Sequence, residues 1–197
     1  MKKIILTLLC ALLVISCFSG CSKTSNELTE ENVKATVDIV TTALQNFDTE
    51  DLDTYVESST LQIIAGYAEK HQQFTDLGKA LFENLTVETG TIDLENNTVT
   101  LYVKNKDLYD VASDFANGLK SSYSSFQLLS KLSDEEFLDT NLSQLCQNID
   151  NAEMQTSSYE ILLTIKQEKK NLVLSFNSNA ENAVSGGALD AITAIYK

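Results

Sequence analysis

The side chains in this chain that could do chemistry are few. Histidine occurs once, at His71, and within Glu69-Lys70-His71-Gln72-Gln73 it reads as a solvent-exposed group rather than a base or a ligand. Leu142, Leu145 and Ile149 flank Cys146 at helical spacing, which makes it a small buried hydrophobe on an apolar stripe, not a nucleophile. One histidine and one such thiol cannot build the nitrogen and sulfur shell that zinc takes. Asp48, Glu50, Asp51 and Asp53 form the densest acidic run, but they lack the loop length, central glycine and terminal bidentate glutamate of an EF-hand. They read as a solvated helix N-terminus, as do Glu30 with Glu31 and Glu135 with Glu136. The Gly-x-Ser-x-Gly elbow, the phosphate-binding glycine loop and the dinucleotide fingerprint are all missing from the sequence. No catalytic residue, metal ligand or cofactor site is assigned.

A different kind of chemistry is written at the start of the chain. Lys2 and Lys3 precede an apolar run from Ile4 to Phe18, which is too short to span a membrane comfortably. Phe18-Ser19-Gly20-Cys21 follows and resembles the lipobox of bacterial lipoproteins, with Phe18 where that family usually has leucine. The resemblance implies cleavage after residue 20, a diacylglyceryl thioether on Cys21, and attachment to the extracytoplasmic face of the cell membrane. Acyl chains contribute about 0.8 kcal/mol per buried methylene, so two or three of them hold where a single chain is marginal. An ordinary secretory signal cleaved nearby, or an uncleaved anchor, are the other readings of the same residues.

Cleavage would change the balance of charge and thiols. It removes Lys2 and Lys3 and no acids, leaving 12 basic against 28 acidic residues and a formal charge of −16. Such a surface repels nucleic acid and anionic headgroups, so neither is expected as a partner. Cys10 and Cys17 leave with the signal and Cys21 is modified, so Cys146 has no partner for an intramolecular disulfide. Stability must then come from a packed core, which the remaining chain is long enough to bury. Every basic residue is lysine, and proline and tryptophan are absent, a bias associated with AT-rich genomes and a Gram-positive source.

The elements that would position any site can be read from periodicity. Residues 21–32 form a lipidated cysteine and polar tether, and residues 33–197 a single α+β domain. Val33, Val37, Val40, Leu44 and Phe47 make one helical stripe; Asp48 to Asp51 restart a helix carrying Leu52, Tyr55 and Val56. Further helices are predicted over about 60–70 and 73–82. Val87, Ile92 and Leu94 on one strand, and Val99, Leu101 and Val103 on the next, predict a hairpin turning at Glu95-Asn96-Asn97. A long helix over about 106–129 and another opened by a capping box at Ser133-Asp134-Glu135-Glu136 follow. A second hairpin (Tyr159 to Ile165, Leu172 to Phe176) and one last helix carrying Val184, Leu189, Ile192 and Ile195 complete the chain. Clean alternation in both hairpins predicts one antiparallel sheet of about four strands, wet on one face, with helices on the other. Gly186 and Gly187 interrupt the last helical pattern, where each glycine costs about 1 kcal/mol relative to alanine. Close packing of that helix on the sheet, a hinge, or a cavity lining would each account for them. Tyr55, Tyr67, Tyr102, Tyr109, Tyr123 and Tyr159 all fall in structured segments and are candidate cavity residues.

The stretch Ala43-Leu44-Gln45-Asn46-Phe47-Asp48-Thr49-Glu50-Asp51-Leu52-Asp53-Thr54-Tyr55-Val56, soon after a lipobox, resembles the opening of small lipoproteins with a cystatin-like or nuclear-transport-factor-like α+β domain. In that group a helix, a Phe-Asp break and a short second helix precede a curved sheet. Two helices between the hairpins depart from the pattern. Some members of that fold use the cone between helix and sheet as a pocket. Two functions follow as expectations: a non-catalytic binding or interaction module for an envelope protein or small ligand, or a small hydrolase or isomerase with its site in the cone.

Overall fold

The computed structural model describes residues 25–196; the residues read as an export signal, and Cys21, lie outside the described residues. The chain is α+β. Helix α1 (Glu30–Asn46) is capped by the Thr29 side chain and ends where Phe47 turns left-handed (φ 50°). Asp48 then accepts from the backbone N–H groups of Glu50 and Asp51 and opens α2 (Thr49–Tyr55). The predicted break and restart are both present, but Val56 belongs to a two-residue strand, β1 (Val56–Glu57), and not to the helix. Next come α3 (Ser59–Ala68) and α4 (Gln72–Phe82), then β2 (Thr86–Asp93) and β3 (Thr98–Lys104).

The long helix expected over about 106–129 is two: α5 (Tyr109–Ser122) and α6 (Ser125–Lys131), separated by extended backbone at Tyr123. Ser124 and Gln127 form a capping box at the second start, so local capping chemistry outweighs the continuous apolar periodicity. At α7 (Glu135–Asn151) the cap is Asp134, accepting from Phe137 N–H, not a box at Ser133. Strands β4 (Tyr159–Gln167) and β5 (Leu172–Ser175) lead into α8 (Ser178–Val184) and α9 (Ala188–Tyr196). The single last helix is thus also two, broken at Ser185-Gly186-Gly187.

Among the described residues five strands form one mixed sheet in the order β1-β5-β4-β3-β2. The four strands of the hairpins are antiparallel as expected; β1 adds a fifth, parallel to β5, through Val56 and Glu57. Two residues after a helix are too short to show alternation. Val99, Leu101, Val103, Ile161, Leu163, Ile165, Leu172 and Leu174 point to one face and are buried beneath α1 and α8. The other face carries Leu162 and Tyr102 in the open, whereas Tyr159, in register with Val103 at the start of β4, is exposed on the core side. In β2, Val87 and Ile92 both pack on the core, although their odd spacing would put them on opposite faces of a regular strand. A bulge between Thr89 and Ile92 resolves the conflict by setting Gly90 and Thr91 opposite Thr100. A second apolar cluster has no strand in it: Leu108, Ala112, Leu138, Leu142, Leu145, Ile149, Ala188 and Ala191 bring α5, α7 and α9 together, with α4 packed against them.

The two clusters meet at a knot of buried polar groups where β3 ends. Asn105 Nδ2 donates to Leu81 O (2.8 Å) and Val184 O (2.7 Å), ending α4 and α8 together. Lys106 Nζ donates to the carbonyls of Ile149 (3.0 Å) and Asp150 (2.9 Å), closing α7. Gln155 pairs with the backbone of Asn105 in both directions. Carbonyls at helix ends that would otherwise be buried without donors are thereby satisfied.

Candidate functional site

The helical cluster is not filled. A cavity of about 560 Å³ lies among its helices, partly open to solvent, within the roughly 300–1,000 Å³ typical of small-molecule sites. Each helix turns its apolar stripe inward: Ile64 from α3, Phe74 and Leu77 from α4, Val111 and Phe115 from α5, Leu138 and Leu142 from α7, Leu189 and Ile192 from α9. Helix α6 forms one side, with Leu128 and Leu129 on the cavity. It buries none of its residues fully, and leaves Phe126 83% and Leu129 68% exposed. Of these Leu129 both lines the cavity and is exposed, so the cavity is open beside it.

Among the described residues the wall carries few polar groups, and the one with a charge is Glu181. It is 9% exposed, on α8. Its Oε1 accepts from the Ser58 hydroxyl and from Thr60 N–H at 3.3 Å; its Oε2 accepts from the Thr60 hydroxyl at 2.8 Å. Ser58 also caps α3 by accepting from Leu61 N–H. Glu181 therefore sits at the positive end of α3, which favours a carboxylate there. Among the described residues no ion pair involves it.

The Ser185-Gly186-Gly187 break shapes the same wall. Both glycines have positive φ (61° and 89°), and a Cβ on Gly186 would fall 2.1 Å from Lys106 O. Gly186 O in turn accepts from Leu108 N–H at 2.8 Å. These glycines are needed for a left-handed turn pressed on the start of α5, not for packing a helix on the sheet.

Most residues singled out from the sequence lie elsewhere. His71 is partly buried instead of solvent-exposed: its Nδ1 donates to Glu135 Oε1 at 2.7 Å, joining α4 to α7. Hydrogen bonds from Gln73 and then His71 hold the Glu135 carboxyl below its ordinary range. Cys146 lies on α7 beside the wall residue Leu145, half-buried and not fully so, and burial pushes its thiol up, away from the reactive thiolate. Asp48 caps α2, and burial followed by repulsion from Asp48 and Glu50 raises Asp51; neither lines the cavity. The six candidate tyrosines do not converge on it; the tyrosine in its wall is Tyr196. Glu181 was missed because nothing local marks it: its partners are more than a hundred residues away. Among the described residues no cluster of histidine, cysteine and acid is placed to hold a metal, and no helix is long and apolar enough to cross a membrane. No protein-family model, curated protein or solved structure matches the chain.

Proposed function

We propose that this protein is a lipid-anchored, extracytoplasmic, non-catalytic binding module that holds an apolar small molecule between its helices. The observation that carries the reading is the cavity: a partly open space of about 560 Å³ with an almost wholly apolar wall, in a domain small enough to have closed it. Burying a ligand's apolar surface there gains roughly 25 cal/mol per Å². The lipobox-like Phe18-Ser19-Gly20-Cys21 supports attachment at the extracytoplasmic face of the cell membrane. The laying of α1 across the antiparallel strands supports a relation to cystatin-like or nuclear-transport-factor-like lipoproteins, whereas the helical half departs from them.

Two measurements test the two halves of the reading. Full-length protein expressed in bacteria should incorporate labelled palmitate and sediment with membranes, and Cys21→Ser should abolish both. N-phenyl-1-naphthylamine should brighten on binding the domain, and Leu142→Asp, which puts a charge into the wall, should remove that signal; no brightening with the native domain rejects the cavity as a ligand site. A second reading, a small hydrolase or isomerase, draws on Glu181 in the wall. Turnover of an acyl ester that disappears in Glu181→Gln would favour it.

A further inference from the structure

Resting on the cavity being a ligand site, we propose that its occupant is an amphipathic amine: an acyl-like body among the helices and a cationic head that donates to Glu181. The inference follows from counting donors and acceptors on the polar part of the wall. Ser185 has no proton left to give, its hydroxyl donating to Asn182 O at 3.0 Å while accepting from Leu189 N–H at 3.4 Å. Thr60 spends its one hydroxyl proton on Glu181. Glu181 Oε1 already accepts twice, while Oε2 accepts once and keeps a lone pair. What remains unused at the buried polar spot is therefore acceptor capacity, on Glu181 Oε2 and Thr60 Oγ1. A carboxylate or phosphate head would bring more acceptors and a like charge to Glu181, where neither Ser58 nor Thr60 has a proton left to give; the other hydroxyls of the wall, Ser125 and Tyr196, belong to α6 and α9. A hydroxyl could satisfy one lone pair. An ammonium satisfies both and pairs the carboxylate, which offsets the cost of burying a cation. The rest of the wall, apolar almost throughout, is left to the ligand's tail.

The test is displacement of bound N-phenyl-1-naphthylamine from the native domain by decylamine, decanol and decanoate, each below its micelle concentration. Decylamine should displace the probe at a concentration roughly tenfold or more below decanoate, with decanol between them. Glu181→Gln should lose the gap, the three displacements being read against that variant's own affinity for the probe. If that variant melts early, the three displacements are repeated on the native domain at rising salt: the gap between decylamine and decanoate should persist, because a pair buried at Glu181 is screened little, whereas a gap that vanishes with salt is attraction to the acidic surface and overturns the proposal. Decanoate equal to or better than decylamine overturns the proposal, as does a gap that survives Glu181→Gln, because general attraction to an acidic surface would then explain it. Probe binding without discrimination sinks this inference alone, whereas absence of probe binding sinks the ligand site with it.

Discussion

Asn105 shows how much can rest on one side chain. Its amide ends two helices, and its Oδ1 accepts from Lys106 N–H at 2.8 Å, all out of contact with water. Alanine there would orphan two carbonyls and an N–H. Asn105→Ala is expected to lower unfolding stability by about 3 kcal/mol in urea titrations, several times a surface change. The acids respond to pH in a set direction. Lys131 holds Asp134 low, Lys166 with Ser175 holds Glu57 low, and Asn96 holds Asp93 low, alongside Glu135. Groups depressed on folding contribute stability above their unfolded values, near pH 4, and lose it as pH falls through the folded ones; raised Asp51 opposes them in part. The urea midpoint should therefore fall below about pH 4, and Asp134→Asn, which keeps the cap, should flatten that slope. Sequence legibility at this scale tracks distance along the chain. Asp48 caps a helix two residues on and could be read, whereas the partners of Asn105, His71 and Glu181 lie in remote elements and left no local trace.

At the scale of elements, periodicity located the helices and the four hairpin strands but neither β1 nor the interruptions. Apolar spacing runs through 106–129 and again through the last helix, yet a capping box splits the first and two left-handed glycines split the second. Both signals stood in the residues: Ser124 with Gln127, and Gly186-Gly187. The odd spacing of Val87 and Ile92 was likewise a readable sign of the bulge. The glycine turn carries its own prediction. Both glycines pay for a side chain in a left-handed conformation, about 1–2 kcal/mol. Only Gly186 also meets Lys106 O, whereas a Cβ on Gly187 finds Tyr109 Cβ at an ordinary 3.5 Å. Gly186→Ala should therefore destabilise clearly more than Gly187→Ala when the two melts are compared.

For the molecule as a whole, the sheet half was legible because alternation exposes it directly. The helical half was not, since amphipathic stripes say that helices pack together but not whether they close. The cavity is the residue of that ambiguity. It also divides the domain energetically, because a filled sheet core and an under-filled helical core should not open together. In hydrogen exchange, amides of α5, α6 and α9 are expected to exchange well before those of β3 and β4, and a ligand that fills the cavity should narrow the difference; equal protection in the two halves would contradict it.

The bulge in β2 reaches beyond the fold of a single chain. Strands β1 and β2 are the two margins of the sheet, and an unpaired margin is a template on which a neighbouring molecule can extend the ladder. On one side β1 offers two residues, too few to seed a pairing. On the other, the extra residue at Gly90 and Thr91 throws the row of amides out of step midway, and Tyr102 lies against Gly90 from the next strand. Were the chain held on a lipid surface as proposed, its copies would meet edge to edge far more often than in dilute solution. A kinked margin lets them do so without zipping into fibrils.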